Sequence, residues 1–374
     1  MAIEFIDLKA QQRRLRPQID TAIQTVLSHG RYIMGPEVKA FELELAAFGQ
    51  AKHAMGCANG TDALMLALMA WDIGPGDAVF CPSFTYCATA EVIAVFGATP
   101  IFVDINRETY NLDVNSLKQA ITDVKQAGHL TPKAIIAVDI FGQSADYEAI
   151  APIAKSEGLK LISDSAQGFG TRLNGNQPLH WADLTTTSFF PAKPLGCYGD
   201  GGAILTNDDK DFDALNSLHI HGKGEDKYDN VRIGLNSRLD TLQAAILLPK
   251  LDIFQSEIEA RNAVAKRYID GLKGHCTRVP TVLDGVVSTW AQFTIEVPAP
   301  REFAQALKAK SIPTARYYPK PVHLQQAYKS FPSTSTGLAN TEDCMDYIIS
   351  LPMHPYLDAT TQDMIIETAK KALA

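Results

Sequence analysis

The chain has no surplus of positive charge. Its 374 residues hold 34 lysines and arginines against 42 aspartates and glutamates, a net charge of −8. Such a balance argues against a nucleic-acid-binding surface. No apolar run approaches the roughly 18–20 residues that a membrane helix needs. Glu4 comes early and no basic-then-apolar pattern follows, so a secretory signal is not expected. The six cysteines (57, 81, 87, 197, 276 and 344) stand singly, without the CxxC spacing of zinc or thiol-redox sites. Free thiols in a reducing compartment account for them. The expectation is therefore a cytoplasmic protein with no metal, no nucleic acid and no membrane among its partners. Repeats and low-complexity tracts are missing too.

What is present is an ordinary globular composition, 46% hydrophobic and 20% charged, in a chain long enough for two lobes. Apolar positions 19, 22, 23, 26 and 27 predict a helix ending at Gly30, and a second helix runs from Glu37 to Phe48. A short extended piece then meets Asn59-Gly60, and Thr61 or Asp62 opens a strongly helical run. From there strands and helices alternate. Strands are expected over 78–81, 101–103, 134–138, 160–163, 185–190 and 203–206, with helices over 88–96, 113–121 and 147–157 among them. Alternation of this kind means βα units and a mostly parallel sheet covered on both faces, whose strand carboxyl ends face one crevice. Tyr86, Asp164, Ser188 and Lys193 all fall at or just past such ends. Further on come an apolar helix from Leu242 to Leu251, capped by Ser237 or Asp240, and a charged connecting helix over 252–272. A smaller lobe follows with a strand over 292–297 and a helix over 302–308. The division is thus 1–251 for the large domain and 252–374 for connector and small domain.

Lys193 lies between a β-branched and aromatic run and the glycines of Gly199-Asp200-Gly201-Gly202. Burial there favours the neutral amine, which can attack a carbonyl and form a Schiff base. The alternative is a lysine whose stem packs under the loop while its head reaches water. A pyridoxal phosphate site needs such an amine together with an acid for the ring nitrogen, a face for the ring and a phosphate cup. Asp164 can hold a pyridinium proton, or simply cap a turn. Tyr86 offers a stacking face, or a core ring. Gly60, Thr61 and Ser188 can cup a phosphate at a helix start, where Thr61 can equally serve as a cap. Gln167 can reach a ring hydroxyl. The rival dinucleotide motif, Gly168-Phe169-Gly170, has Leu173 in its third glycine position and opens no helix, so it is set aside.

Five motifs in order carry a resemblance: Asn59-Gly60-Thr61-Asp62, Pro82-Ser83-Phe84-Thr85-Tyr86, Asp164-Ser165-Ala166-Gln167, the Ser188 to Lys193 run with its glycines, and Asn236-Ser237-Arg238-Leu239-Asp240. Together with Tyr318-Pro319 and Leu351-Pro352-Met353-His354 they resemble the DegT/DnrJ/EryC1/StrS sugar aminotransferases over essentially the whole chain. Within that family the opening residues and the glycine run look most like enzymes that aminate C3 of UDP-2-acetamido-2-deoxy-3-oxo-glucuronate. The resemblance implies a type I aminotransferase α/β fold, pyridoxal 5'-phosphate, L-glutamate as amino donor, a nucleotide-sugar acceptor and a homodimer with shared sites. It implies Lys193 as Schiff-base lysine and proton shuttle, Asp164 on the ring nitrogen, Gln167 on the ring hydroxyl and Tyr86 on the ring face. Gly60, Thr61 and Ser188 take the phosphate, with Asn236 reaching in from the neighbouring subunit. Arg238, Tyr317, Tyr318 and His323 resemble substrate contacts, although Tyr317 stands where histidine is commoner. Relatives that act as dehydratases replace the lysine by histidine; Lys193 is kept here, which favours transamination. The competing functions are amination of a different keto sugar, a non-catalytic regulatory role, and a nicotinamide-dependent oxidoreductase.

Overall fold

The computed structural model describes residues 3–226 and 228–374. One sheet is built by β1 (His53–Cys57), β2 (Asp77–Pro82), β3 (Thr99–Val103), β4 (Thr131–Val138), β5 (Lys160–Asp164), β7 (Leu184–Ser188) and β8 (Gly202–Thr206). Their order is β1-β8-β7-β5-β4-β2-β3. Neighbours from β7 to β3 are parallel, and β8 runs antiparallel to both β7 and β1. Two short pairs stand apart, β6 (Arg172–Leu173) with β9 (Val286–Val287) and β10 (Phe293–Glu296) with β11 (Ile348–Leu351). The helices are α1 (Leu8–His29), α2 (Pro36–Phe48), α3 (Gly60–Ala70), α4 (Ala88–Val95), α5 (Val114–Ala127), α6 (Tyr147–Glu157), α7 (Asp209–Leu218), α8 (Thr241–Leu272), α9 (Pro300–Lys308), α10 (Ala339–Cys344) and α11 (Ala359–Leu373).

Strand periodicity sorts the core into layers. Val79, Cys81, Ala134 and Ile136 pack with α3, α4 and α7, whereas Ala78, Phe80, Ile135 and Ala137 pack with α5 and α6. Successive strand residues point to opposite faces, so a sheet covered on both sides needs apolar residues at every position. At the β1–β8 edge Ala54, Ala203 and Leu205 meet Phe41 and Leu45 of α2 and Leu247 of α8.

Several boundaries differ from those read off the sequence. The strand expected over 185–190 ends at Ser188, after which the chain turns into the Lys193 loop. Thr61 does not cap α3: Asn59 does, its Oδ1 accepting the Asp62 N–H at 2.8 Å. Asp240 occupies the cap position of α8 without a side-chain cap bond, and the Ser237 hydroxyl instead accepts the Ala58 N–H at 3.2 Å. The two helices expected over 242–272 are one 32-residue helix that continues through Pro249. Proline removes one intrahelical hydrogen bond. Packing carries the helix past that loss, Leu247 and Phe254 on α2 and the sheet edge, Tyr268 and Leu272 on the core around β10, β11 and α11. The division at 251/252 therefore falls inside a continuous helix. Among the described residues no helix is long and apolar enough to cross a membrane.

Candidate active site

The carboxyl ends of β2, β5 and β7 and the start of α3 bring the expected residues to one edge of the sheet. Asp164 ends β5 and is 6% exposed. Its Oδ2 accepts from Thr89 Oγ1 at 3.0 Å and its Oδ1 from the Ala166 N–H at 3.2 Å. Neither donor carries a positive charge. Burial therefore pushes the Asp164 carboxyl above its ordinary range, against the pull of those two donors and of the Lys193 ammonium. Lys193 follows β7 by five residues and is half-buried. Desolvation lowers its pKa while the Asp164 charge opposes that shift. Both members of the pair are thus displaced toward neutrality, which is what an amine that must attack a carbonyl requires.

Opposite them lies a cradle of close backbone. A Cβ on Gly202 would collide with the Asn59 carbonyl oxygen, and one on Gly60 would stand 2.7 Å from Ser188 Cβ. Only glycine lets β8, the end of β7 and the first turn of α3 approach so nearly. Because Asn59 takes the Asp62 N–H, it leaves the Gly60 and Thr61 N–H groups to the crevice, at the positive end of the helix dipole. Ser188 Oγ sits at the same place, accepting the Phe190 N–H at 3.3 Å. The arrangement suits an anion such as a phosphate.

Tyr86 projects from the loop after β2 and is 59% exposed, a free aromatic face rather than a core ring. Gln167 is buried, and its amide is partly spoken for: Oε1 accepts the Phe141 N–H at 2.7 Å and Nε2 donates to Tyr318 Oη at 2.9 Å. One amide hydrogen is left. Tyr318 thereby joins the Asp164 side of the crevice, with Tyr317 beside it at a ring separation of 5.8 Å. His323 is used within the chain. Its Nδ1 lies 2.6 Å from Ser83 Oγ and its Nε2 3.2 Å from Glu342 Oε1, so it braces the loop that carries Tyr86. Asn236 is exposed and Arg238 half-buried, on the segment leading into α8.

Two residues that support this site were not singled out from sequence. Thr89 ties Asp164 to Thr85, 3.0 Å away, and the only sequence signal was their i, i+4 spacing at the start of α4. Asp139, at the end of β4, is fully buried and accepts from Ser163 Oγ, Ser165 Oγ, Tyr147 Oη and the Ala145 N–H. Burial raises its pKa to about 6 despite those four donors. The Asp139 N–H donates to the Asp164 carbonyl at 3.0 Å, so this knot anchors the strand end that presents Asp164.

An α/β sheet with a desolvated lysine and a buried carboxylate at its carboxyl edge, beside a helix start shaped for an anion, defines a cofactor-dependent amine-transfer class of protein. Comparison with known proteins narrows it: a profile of the DegT/DnrJ/EryC1/StrS aminotransferase family matches residues 13–370, and the chain belongs to that family. It is 47% identical over 363 residues to the UDP-2-acetamido-2-deoxy-3-oxo-D-glucuronate aminotransferase of Pseudomonas aeruginosa, covering 97% of this chain and 98% of that one. It is also 40% identical over 370 residues to a protein of Geobacillus stearothermophilus named a pleiotropic regulatory protein, with 98% and 97% covered. The crystal structure of a DegT DnrJ EryC1 StrS aminotransferase from Brucella abortus superposes with a TM-score of 0.98 at 49% identity, over the whole of both chains.

Proposed function

We propose that the chain is a pyridoxal-phosphate-dependent aminotransferase of a nucleotide-linked keto sugar. The sugar is UDP-2-acetamido-2-deoxy-3-oxo-D-glucuronate, the donor L-glutamate, and the product feeds a bacterial surface polysaccharide such as O-antigen. The observation that carries the reading is the Lys193–Asp164 pair, two desolvated groups shifted toward neutrality at the carboxyl edge of the sheet. The name of the Pseudomonas relative supports the sugar. The regulatory name of the Geobacillus relative does not displace the reading, because a pure ligand sensor has no need of a desolvated lysine beside a buried acid.

The residues fit the cofactor. The cradle at Gly60, Thr61 and Ser188 would hold its phosphate, and Tyr86 would offer a face to the ring. The remaining hydrogen of Gln167 would serve the ring hydroxyl, and Asp164 the ring nitrogen. Bound there, pyridoxal phosphate supplies an aldehyde for amines and an electron sink for the bond that breaks. The chain does the rest. Asp164 would hold positive charge at the ring nitrogen, which in turn would keep its own carboxyl ionised. Lys193 Nζ, neutral in its desolvated setting, takes the α-proton of the donor and later returns a proton to the sugar carbon. Arg238 and Asn236 act across a homodimer interface, Arg238 on the anionic sugar or its diphosphate. Tyr317 and Tyr318 form the sugar-side rim, His323 braces it through Ser83 and Glu342, and residues 252–374 form the smaller domain.

The test is a panel of UDP- and dTDP-linked 3-keto and 4-keto sugars, offered with glutamate and read by mass spectrometry of the amino sugar. UDP-2-acetamido-2-deoxy-3-oxo-D-glucuronate should give the highest kcat/KM. Preference for a 4-keto sugar would overturn the substrate, and amination of none would overturn the function.

A further inference from the structure

The loop that carries Lys193 is closed on itself. The Cys197 N–H donates to the Phe189 carbonyl at 2.8 Å, and the Lys193 N–H donates to the Phe190 carbonyl at 2.8 Å. Gly196 turns back so tightly that a Cβ there would lie 2.5 Å from the Pro191 carbonyl oxygen. What this loop rests on is the first half of α8. Gln243 Oε1 accepts the Tyr198 N–H at 2.9 Å, and Lys250 Nζ, two turns on, donates to the Gly196 carbonyl at 2.6 Å. The same ammonium lies 4.1 Å from the centre of the Tyr198 ring. Leu247, between the two grips, packs with Leu195 and Cys197. Positions 243, 247 and 250 recur at helical spacing and share one face.

Lys250 is out of place as filler. It is 1% exposed, and among the described residues its hydrogen bond goes to a neutral carbonyl rather than to a carboxylate. Burial lowers its pKa to about 8, against a weaker pull from Glu257 on the same helix. A buried ammonium without a close counter-charge is costly, and a methionine of similar length would fill the space without that cost. The carbonyl bond and the ring contact are what the amine provides here.

We propose that Lys250, together with Gln243, is a positioning pair that fixes the Lys193 loop on α8 and so sets the direction and solvation of the Lys193 amine. Its catalytic meaning rests on the function proposed above; the mechanical claim does not. Lys250→Met, Lys250→Arg and Gln243→Leu are made in the full chain. Without cofactor, the titration of Lys193 is followed by competitive acetylation and peptide mass spectrometry. The Lys250→Met midpoint should move up toward an ordinary lysine as the loop loosens and admits water, and Lys250→Arg should stay near the parent. With pyridoxal phosphate, kcat of Lys250→Met should fall about ten- to a hundred-fold, the scale of an ångström of misplacement, with the sugar KM changed by no more than about two-fold. A folded Lys250→Met with the parent midpoint and parent kcat overturns the proposal. If that variant does not fold, an unchanged midpoint in Gln243→Leu overturns it equally. Should the parent aminate no sugar, the function fails while the acetylation midpoint still decides the role of Lys250.

Discussion

Asp164 and Glu296 are both buried carboxylates, 6% and 1% exposed, and their surroundings are opposites. Glu296, in β10, accepts from both terminal nitrogens of Arg107 and from the Tyr110 hydroxyl at 2.5 Å, and Arg278 Nε lies 3.6 Å away as an ion pair without a hydrogen bond. Arg107 in turn reaches Asp343; burial works against its charge, and the two carboxylates raise its pKa all the same. The network ties the loop after β3 to the β10–β11 pair. Asp164 has a hydroxyl and a backbone N–H, and the cation that influences it is an amine losing its own charge. A buried charge that is fully paired is architecture, and breaking it costs stability. A buried charge left half-answered is suited to a ligand that completes it.

That contrast is open to attack, from its strongest consequence down. Lys193→Ala should abolish turnover, a loss of at least about four orders of magnitude for a residue acting as both attachment point and proton carrier, while the denaturation midpoint stays near the parent. Wild-type turnover in that variant would refute the catalytic role. Arg107→Ala should do the reverse, costing about 3–5 kcal/mol in urea unfolding by stranding the Glu296 charge. A loss under about 1 kcal/mol would mean that the network is not the brace described. Asp139 gives the finest test, because it has four donors but no cation. Its pKa in the folded state, about 6, lies above the ordinary aspartate value, so the folded chain holds the proton more tightly. Its contribution to stability is complete below about pH 4 and is lost as pH rises through 6, on the order of 3 kcal/mol. Asp139→Asn should flatten that part of the pH profile; an identical slope would place the titration elsewhere.

The sheet was legible in the sequence because the strands from β2 to β5 are largely apolar and α5 and α6 between them are amphipathic. Lys193, Asp164 and the glycine cradle were legible because chemistry restricts which residues can stand at strand ends. Other features were hidden for physical reasons. A proline reads locally as a break, but α8 runs through Pro249 on the strength of contacts made far away in sequence. β11 has four residues, too few to show a period, and is held by β10 on one side and Ala315 on the other. α7 reads as a polar tract and is stabilised by the Asp208 side chain accepting two N–H groups. Thr89, Asp139 and Lys250 matter through partners distant in sequence, which no motif displays.

The most direct measurement is the site of covalent attachment. The protein is loaded with pyridoxal phosphate, reduced with borohydride, digested and sequenced by mass spectrometry. One reduced phosphopyridoxyl group per chain, on Lys193, is the predicted result. Attachment at another lysine, Lys250 included, or no attachment at all, would contradict the role assigned to Lys193.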